Sequence, residues 1–292
     1  MTFSKSLNEL IAIAKLDSVA LEKLIRIAIA EDLAGATDVT SVATIPENQR
    51  AVAEFRSRKS GVIAGIPVVC AVLEICGITE YEIKKSDGEV ASENSLLLTA
   101  KGETRALLLA ERSALNFIGR LSGIATLTKI WVDEVADTKS EIRDTRKTTP
   151  GLRELEKYAV RMGGGKNHRF SLSDAALVKD NHVLAAGGVA QAFKLVKEKF
   201  PNLPLEVEVD SLQQLREVIE AGAELVLLDN MTIEECRTAV EIVSGRAKLE
   251  ASGGLILSNA HAYAKTGVDY LAVGALTHSA PVLDIGLDLR ME

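Results

Sequence analysis

From about residue 142 onward, short apolar or β-prone runs alternate with helix-length amphipathic stretches. The runs are Ile142–Arg146, Ala176–Lys179, Leu205–Val209, Leu225–Leu228, Lys248–Ala251 and Tyr270–Val273. Between them lie stretches such as Leu212–Ala221, apolar at 212, 215, 218 and 219, and Ile233–Val243, apolar at 236, 239, 240 and 243. Gly222, Gly245 and Gly267 close three of the helical stretches. Strand, helix and strand at this spacing imply right-handed crossovers and a parallel sheet, so the fold class is α/β. The strand ends choose between an open sheet and a barrel. They carry Arg146-Lys147, Lys179-Asp180-Asn181-His182, Glu208, Asp229-Asn230, Ser252-Gly253-Gly254 and Gly274. Polar or glycine residues delivered at one end by six successive strands favour a barrel, whose C-terminal face carries chemistry and whose last two βα loops hold phosphate.

The preceding residues follow another pattern. Residues 5–33 read as helical; Ala51–Arg58, Tyr81–Lys84 and Leu96–Lys101 read as strands; Thr104 to Val135 reads as a long helix. This predicts an N-terminal α+β domain over 1–110 and a barrel domain over 111–292. The first residues break their apolar stretch with Glu9 and Lys15, which fits an amphipathic helix better than a signal peptide. No run reaches the about 18 apolar residues of a membrane span. Cys70, Cys76 and Cys236 lack C-x-x-C spacing and read as three reduced thiols, so the expected location is the cytoplasm, with no membrane partner.

Charge narrows the ligand. Lys plus Arg is 34 and Asp plus Glu is 41, a net of −7, which argues against nucleic acid as a partner. Between Arg143 and His182, however, nine basic residues face five acidic ones. That segment is +4, leaving the rest of the chain at −11. Arg153, Lys157 and Arg161, four apart, are expected on a solvated helix face. Arg146, Lys147 and Lys179 stand at strand ends, where clustered cations are costly unless an anion compensates them. The triple glycine of GGGKNHR lets backbone approach a ligand closely, and Arg supplies paired donors to carboxylate or phosphate.

Among the acids, Glu206 and Glu208 share one side of their strand, and Asp229 ends another. Glu208 and Asp229 at separate strand ends suit sugar hydroxyls or a divalent metal. There is no Ser-His-Asp order and no Cys beside a His, so covalent acyl chemistry has little support. His168 and His182 flank the cations and read as hydrogen-bonding groups, without metal-ligand spacing to His261 or His278. The residues themselves thus point to a barrel mouth binding a multiply anionic ligand, with phosphate at SGG and VGA. Lyase, isomerase and transferase all remain open.

The motifs DTRKTTPGLRELEKYAVRMGGGKNHR, LVKDNHV, EVEVDS, LVLLDNM, LEASGG and AVGALTHSAP resemble the quinolinate phosphoribosyltransferase family, as do EDLAGATDVTS, KSGVIAGIPV and AERSALNFIGRLSGIAT. The resemblance covers nearly the whole chain in order. It implies an N-terminal α/β sandwich and an incomplete, seven-stranded α/β barrel, in a homodimer or larger homo-oligomer with sites completed across the interface. The implied reaction joins quinolinate and phosphoribosyl pyrophosphate, with Mg²⁺, to give nicotinate mononucleotide, pyrophosphate and CO₂, a step of NAD biosynthesis. By motif, Arg146, His168, Arg169 and Lys179 would bind the quinolinate carboxylates, joined by Arg112 from the neighbouring subunit. Lys147 would serve the pyrophosphate end, Glu208 and Asp229 the ribose hydroxyls or metal, and Ser252, Gly253, Gly254 and Gly274 the phosphate. Lys147, Lys179, Glu208 and Asp229 are the catalytic candidates.

Overall fold

The computed structural model describes residues 3–292. Its helices are α1 (Lys5–Ala14), α2 (Ser18–Leu33), α3 (Val39–Thr44), α4 (Ile66–Ile75), α5 (Thr104–Glu134), α6 (Arg153–Met162), α7 (Asp180–Ala186), α8 (Val189–Lys199), α9 (Leu212–Glu220), α10 (Ile233–Val243), α11 (Leu257–Ala264) and α12 (Ala275–His278). Its strands are β1 (Arg50–Ser57), β2 (Gly61–Val62), β3 (Glu80–Ile83), β4 (Val90–Ala91), β5 (Leu96–Glu103), β6 (Glu141–Arg143), β7 (Ala176–Val178), β8 (Leu205–Val209), β9 (Leu225–Asp229), β10 (Lys248–Ser252), β11 (Tyr270–Ala272) and β12 (Ile285–Met291).

One compact unit holds the chain up to Leu127 together with 149–164 and 279–292. Its main sheet is antiparallel, in the order β12-β1-β5-β3. The helical expectation over 5–33 divides in two. Ser4 caps α1 by accepting from Leu7 N–H, Asp17 caps α2 by accepting from Val19 and Ala20, and Lys15 turns the chain between them at φ +55°. Leu7 and Ile11 of α1, and Leu21 and Ile25 of α2, are buried one turn apart. α1 and α2 pack on α4, which is buried continuously from Ile66 to Leu73 and has Pro67 in its first turn. Strand β12 alternates Ile285, Leu287 and Leu289 with Gly286, Asp288 and Arg290, and it completes this sheet beside β1. The sequence reading did not include it.

Helix α6, in the same unit, corrects an expectation. Lys157 is fully buried, as are its neighbours from Leu155 to Val160. The four-residue spacing of Arg153, Lys157 and Arg161 is that of a helix face, but α6 is enclosed on all sides. Arg161 is half-buried, donates to Ala14 O at 2.8 Å and lies over the Tyr158 ring.

The second unit comprises 128–148 and 165–278. Its six strands are parallel, in the order β6-β11-β10-β9-β8-β7. Buried Val207, Val209, Val226, Leu228, Leu249, Ala251 and Leu271 give these strands the apolar character of a sheet covered on both faces. Where seven strands are expected the sheet has six; beyond β6, Arg143 and Lys166 form an isolated parallel bridge. Lys166 follows the triple glycine; its N–H donates to Ile142 O and its carbonyl accepts from Asp144 N–H. Helices α9, α10 and α11 connect successive strands. Thr232 and Glu235 form a capping box at α10.

Candidate active site

Every parallel strand of the second unit ends on one rim, and there a pocket of about 510 Å³ opens. Its lining includes Arg146, Lys147, His168, Arg169, Lys179, Glu208, Asp229, Ser252, Gly253 and Gly254, ten of the residues expected from sequence. Arg112 stands exposed on α5 of the first unit and is not among the lining side chains. The pocket also exposes contributions that sequence reasoning left unassigned: Thr145, Asn230 and Glu250. Glu250 was detectable, since it sits two residues before Ser252 on the same face of β10.

The cations are arranged for an anion. Arg146 and Lys147 lie in the loop after β6, and Arg169 follows the Lys166 bridge. The Nε of Arg146 is buried and has no hydrogen-bond partner among the described residues. Burial, and then the charge of Arg146, lowers the pKa of Arg169. Two guanidiniums that disfavour each other in a half-buried pocket would be stabilised by an anion between them. Lys179 N-caps α7, its backbone N–H donating to His182 Nδ1, and its ammonium forms an ion pair with Glu208. His182 is thus a hydrogen-bonding group, as expected.

A second layer lies below the cations. Glu206, Glu250 and Asp144 are buried. Glu250 Oε2 accepts from Arg143 Nη1 at 2.5 Å, and His168 Nε2 lies 2.7 Å from Glu206 Oε2 and 3.5 Å from Glu250 Oε1. Burial, reinforced by the charge of Glu206, raises the pKa of Glu250. His168, Glu206 and Glu250 are close enough to surround an ion. Arg143 already occupies Glu250, however, and both His168 ring nitrogens have protein partners, so the cluster is a hydrogen-bonded ion network. The oxygen-only pair Glu208 and Asp229 suits a hard divalent cation better.

The glycine corner of the pocket depends on close approach. At Gly253, φ is +87° and a Cβ would lie 2.2 Å from Asn230 Oδ1. Asn230, itself at φ +54°, donates its side-chain N–H to Asp229 Oδ2 at 2.8 Å and its backbone N–H to Ser252 O. At Gly274 a Cβ would lie 3.1 Å from Lys147 Cδ and 3.2 Å from His278 Nε2. Gly274 therefore belongs to the same corner as Lys147, with His278 as a further neighbour. Thr277 Oγ1 donates to Lys147 O, fixing that loop. The thiols stand apart from this chemistry. All three are free, and burial pushes Cys70 and Cys236 up to about 12 and Cys76 up to about 11.

A six-stranded parallel sheet flanked by helices, its strand ends gathered around a pocket lined by guanidiniums, carboxylates and glycines, defines an α/β protein with its candidate site at the C-terminal rim of the sheet. The chain belongs to the quinolinate phosphoribosyltransferase family. Residues 38–122 match the family model "Quinolinate phosphoribosyl transferase, N-terminal domain", and 124–288 match its C-terminal domain. Among curated relatives, "Nicotinate-nucleotide pyrophosphorylase [carboxylating]" of Mycobacterium leprae is 51% identical over 276 residues, covering 92% of this chain and 97% of that protein. "Quinolinate phosphoribosyltransferase [decarboxylating] 2, mitochondrial" of Nicotiana glauca is 37% identical, covering 93% and 83%. The solved structure of the nicotinate-nucleotide pyrophosphorylase from Francisella tularensis superposes with a TM-score of 0.91 at 38% identity, covering 95% and 99%.

Proposed function

We propose that this chain is a decarboxylating phosphoribosyltransferase: quinolinate and phosphoribosyl pyrophosphate give nicotinate mononucleotide, pyrophosphate and CO₂, a step of NAD biosynthesis. The observation that carries the reading is the buried, unpartnered Nε of Arg146 beside Arg169 in a pocket that also holds a glycine-lined phosphate corner. Family membership chooses the transferase among the reactions such a pocket could run.

Arg146 and Arg169 receive the two carboxylates, with Lys179 released from Glu208 as the dianion enters. Ser252, Gly253, Gly254 and Gly274 take the 5′-phosphate, and Lys147 faces the pyrophosphate. The pyridine nitrogen attacks C1′ with its own lone pair while the C1′–O bond to pyrophosphate breaks, so no general base is required. Glu208 and Asp229 hold the ribose hydroxyls and stabilise positive charge at C1′. They would also hold Mg²⁺, which when bound neutralises charge on the departing pyrophosphate. The glycosylated ring nitrogen is cationic, so the C2–carboxylate bond breaks with its electron pair stabilised at C2, CO₂ leaves, and C2 takes a proton. Protein cations serve recognition; the substrate's nitrogen drives decarboxylation.

Quinolinate labelled in its C2 carboxyl tests this order. Labelled CO₂ should appear only when phosphoribosyl pyrophosphate is present, and its release from quinolinate alone would overturn the mechanism.

The assembly we propose is a homodimer, with Arg112 reaching the neighbouring subunit's pocket, in the cytoplasm. Among the described residues no helix is long and apolar enough to cross a membrane. Mixing inactive Arg112→Ala and Lys147→Ala subunits should restore part of the activity; no recovery despite verified subunit exchange would refute the shared site.

A further inference from the structure

The backbone is strained at one point on the pocket rim. Asn230, the first residue after β9, has φ +54°, in the left-handed region that side chains disfavour. Among the described residues four other non-glycine positions adopt such a φ. Lys15, Ala34 and Ser244 end helices, and Asn94 lies in a turn between β4 and β5, so Asn230 alone of these lines the pocket. Glycine would adopt this conformation without strain, so what Asn230 adds is its side chain.

That side chain touches both strand ends that meet here. Its Nδ2 donates to Asp229 Oδ2 at 2.8 Å, and its Oδ1 stands against Gly253, in the space that a Cβ there would need. Its backbone adds one more link, since Asn230 N–H donates to Ser252 O at 2.9 Å, just past the Asp229–Ser252 pair that ends the β9–β10 ladder. A single residue thus orients a carboxylate on β9 and seats the glycine loop after β10. With Oδ2 engaged, Asp229 keeps Oδ1 for a ligand.

We propose that Asn230 is a positioning residue for the sugar-phosphate half of the substrate. It sets the Asp229 carboxylate, which takes ribose hydroxyls, against the Gly253 backbone, which takes the 5′-phosphate. This rests on the proposed reaction and deepens it. Arg146 and Arg169 belong to other loops, so quinolinate binding serves as the internal control.

Two substitutions separate the side chain from the turn. Asn230→Gly adopts φ +54° freely and removes both side-chain contacts. Asn230→Asp keeps the shape and tolerates the same φ, but sets a carboxylate oxygen against Asp229 where the donor stood. Calorimetry on the purified, full-length protein, without added metal, measures binding of nicotinate mononucleotide and of quinolinate. Steady-state kinetics give kcat and the KM of each substrate, and thermal melts report folding. Both variants should bind nicotinate mononucleotide at least about fivefold more weakly than wild type, with quinolinate binding within about twofold. The KM for phosphoribosyl pyrophosphate should rise and that for quinolinate should hold. The Cβ of Gly253→Ala meets the Asn230 side chain, so that substitution should weaken nicotinate mononucleotide binding less in the Asn230→Gly background.

An Asn230→Gly variant that binds nicotinate mononucleotide like wild type would overturn the proposal. Equal weakening of both ligands would make Asn230 a general support of the rim and overturn it too, as would a Gly253→Ala effect of full size in the Asn230→Gly background. Wild-type protein that binds neither ligand would instead overturn the functional reading beneath it.

Discussion

Arg146 and Gly253 carry the two halves of the substrate argument, and each can be tested by itself. Arg146→Ala removes the guanidinium whose Nε is buried without a partner and leaves a substrate carboxylate unpaired in the pocket. It should weaken quinolinate binding by about 2–5 kcal/mol, measured by calorimetry. An unchanged dissociation constant would remove Arg146 from the site. Gly253→Ala forces a side chain into φ +87° and drives its Cβ into Asn230. The backbone cost alone is roughly 1–2 kcal/mol. Steady-state kinetics should show a higher KM for phosphoribosyl pyrophosphate with quinolinate affinity retained. Equal loss of both substrates would place Gly253 outside a dedicated phosphate corner. Arg146, Lys147 and the glycines were legible as pocket residues, the cations because clustered charge at strand ends is costly without an anion and the glycines because they let backbone approach closely. The partners of Glu250 and Asn230 were not, since only the fold brings Arg143 to Glu250 and packs Asn230 against Gly253.

The strands from β8 to β11 fall within one residue of the runs read from periodicity, and α10 coincides with its own. Their buried apolar faces set both length and position. β6 is shorter than expected and stops at Arg143, because the chain beyond it forms the loop that carries Arg146. The reading of α6 failed for a different reason. Spacing identifies a helix face, but only packing shows whether water reaches it, and the fold encloses α6 with Glu156 paired to Arg120 at 2.8 Å. Glu156 also accepts from Thr149 N–H and Oγ1, tying the TTPG turn to the helix. Glu156→Gln removes one partner of a largely buried ion pair and should cost about 3 kcal/mol in denaturant unfolding. A loss within experimental error would show that α6 does not depend on this pair.

The net charge of −7 belongs to the whole chain, while four cations of the +4 segment, Arg146, Lys147, Arg169 and Lys179, line the pocket. Buried acids add a dependence on pH. Burial, then the charge of Glu206, raises Glu250 from an ordinary 4.5 to about 8. A raised acid binds its proton more tightly in the folded state. Its contribution to stability is complete below 4.5, falls as pH rises toward about 8, and is flat beyond. Glu250→Gln should therefore flatten the fall in melting temperature between pH 5 and 8; an unaltered slope would exclude Glu250 as its source. The pocket's chemistry is tested most directly by incubating the protein with phosphoribosyl pyrophosphate, Mg²⁺ and either quinolinate or nicotinate, and measuring pyrophosphate and CO₂. Quinolinate should yield the two products in equal amounts, with little turnover of nicotinate. Turnover of nicotinate but not quinolinate, or quinolinate binding without pyrophosphate release, would contradict the assignment.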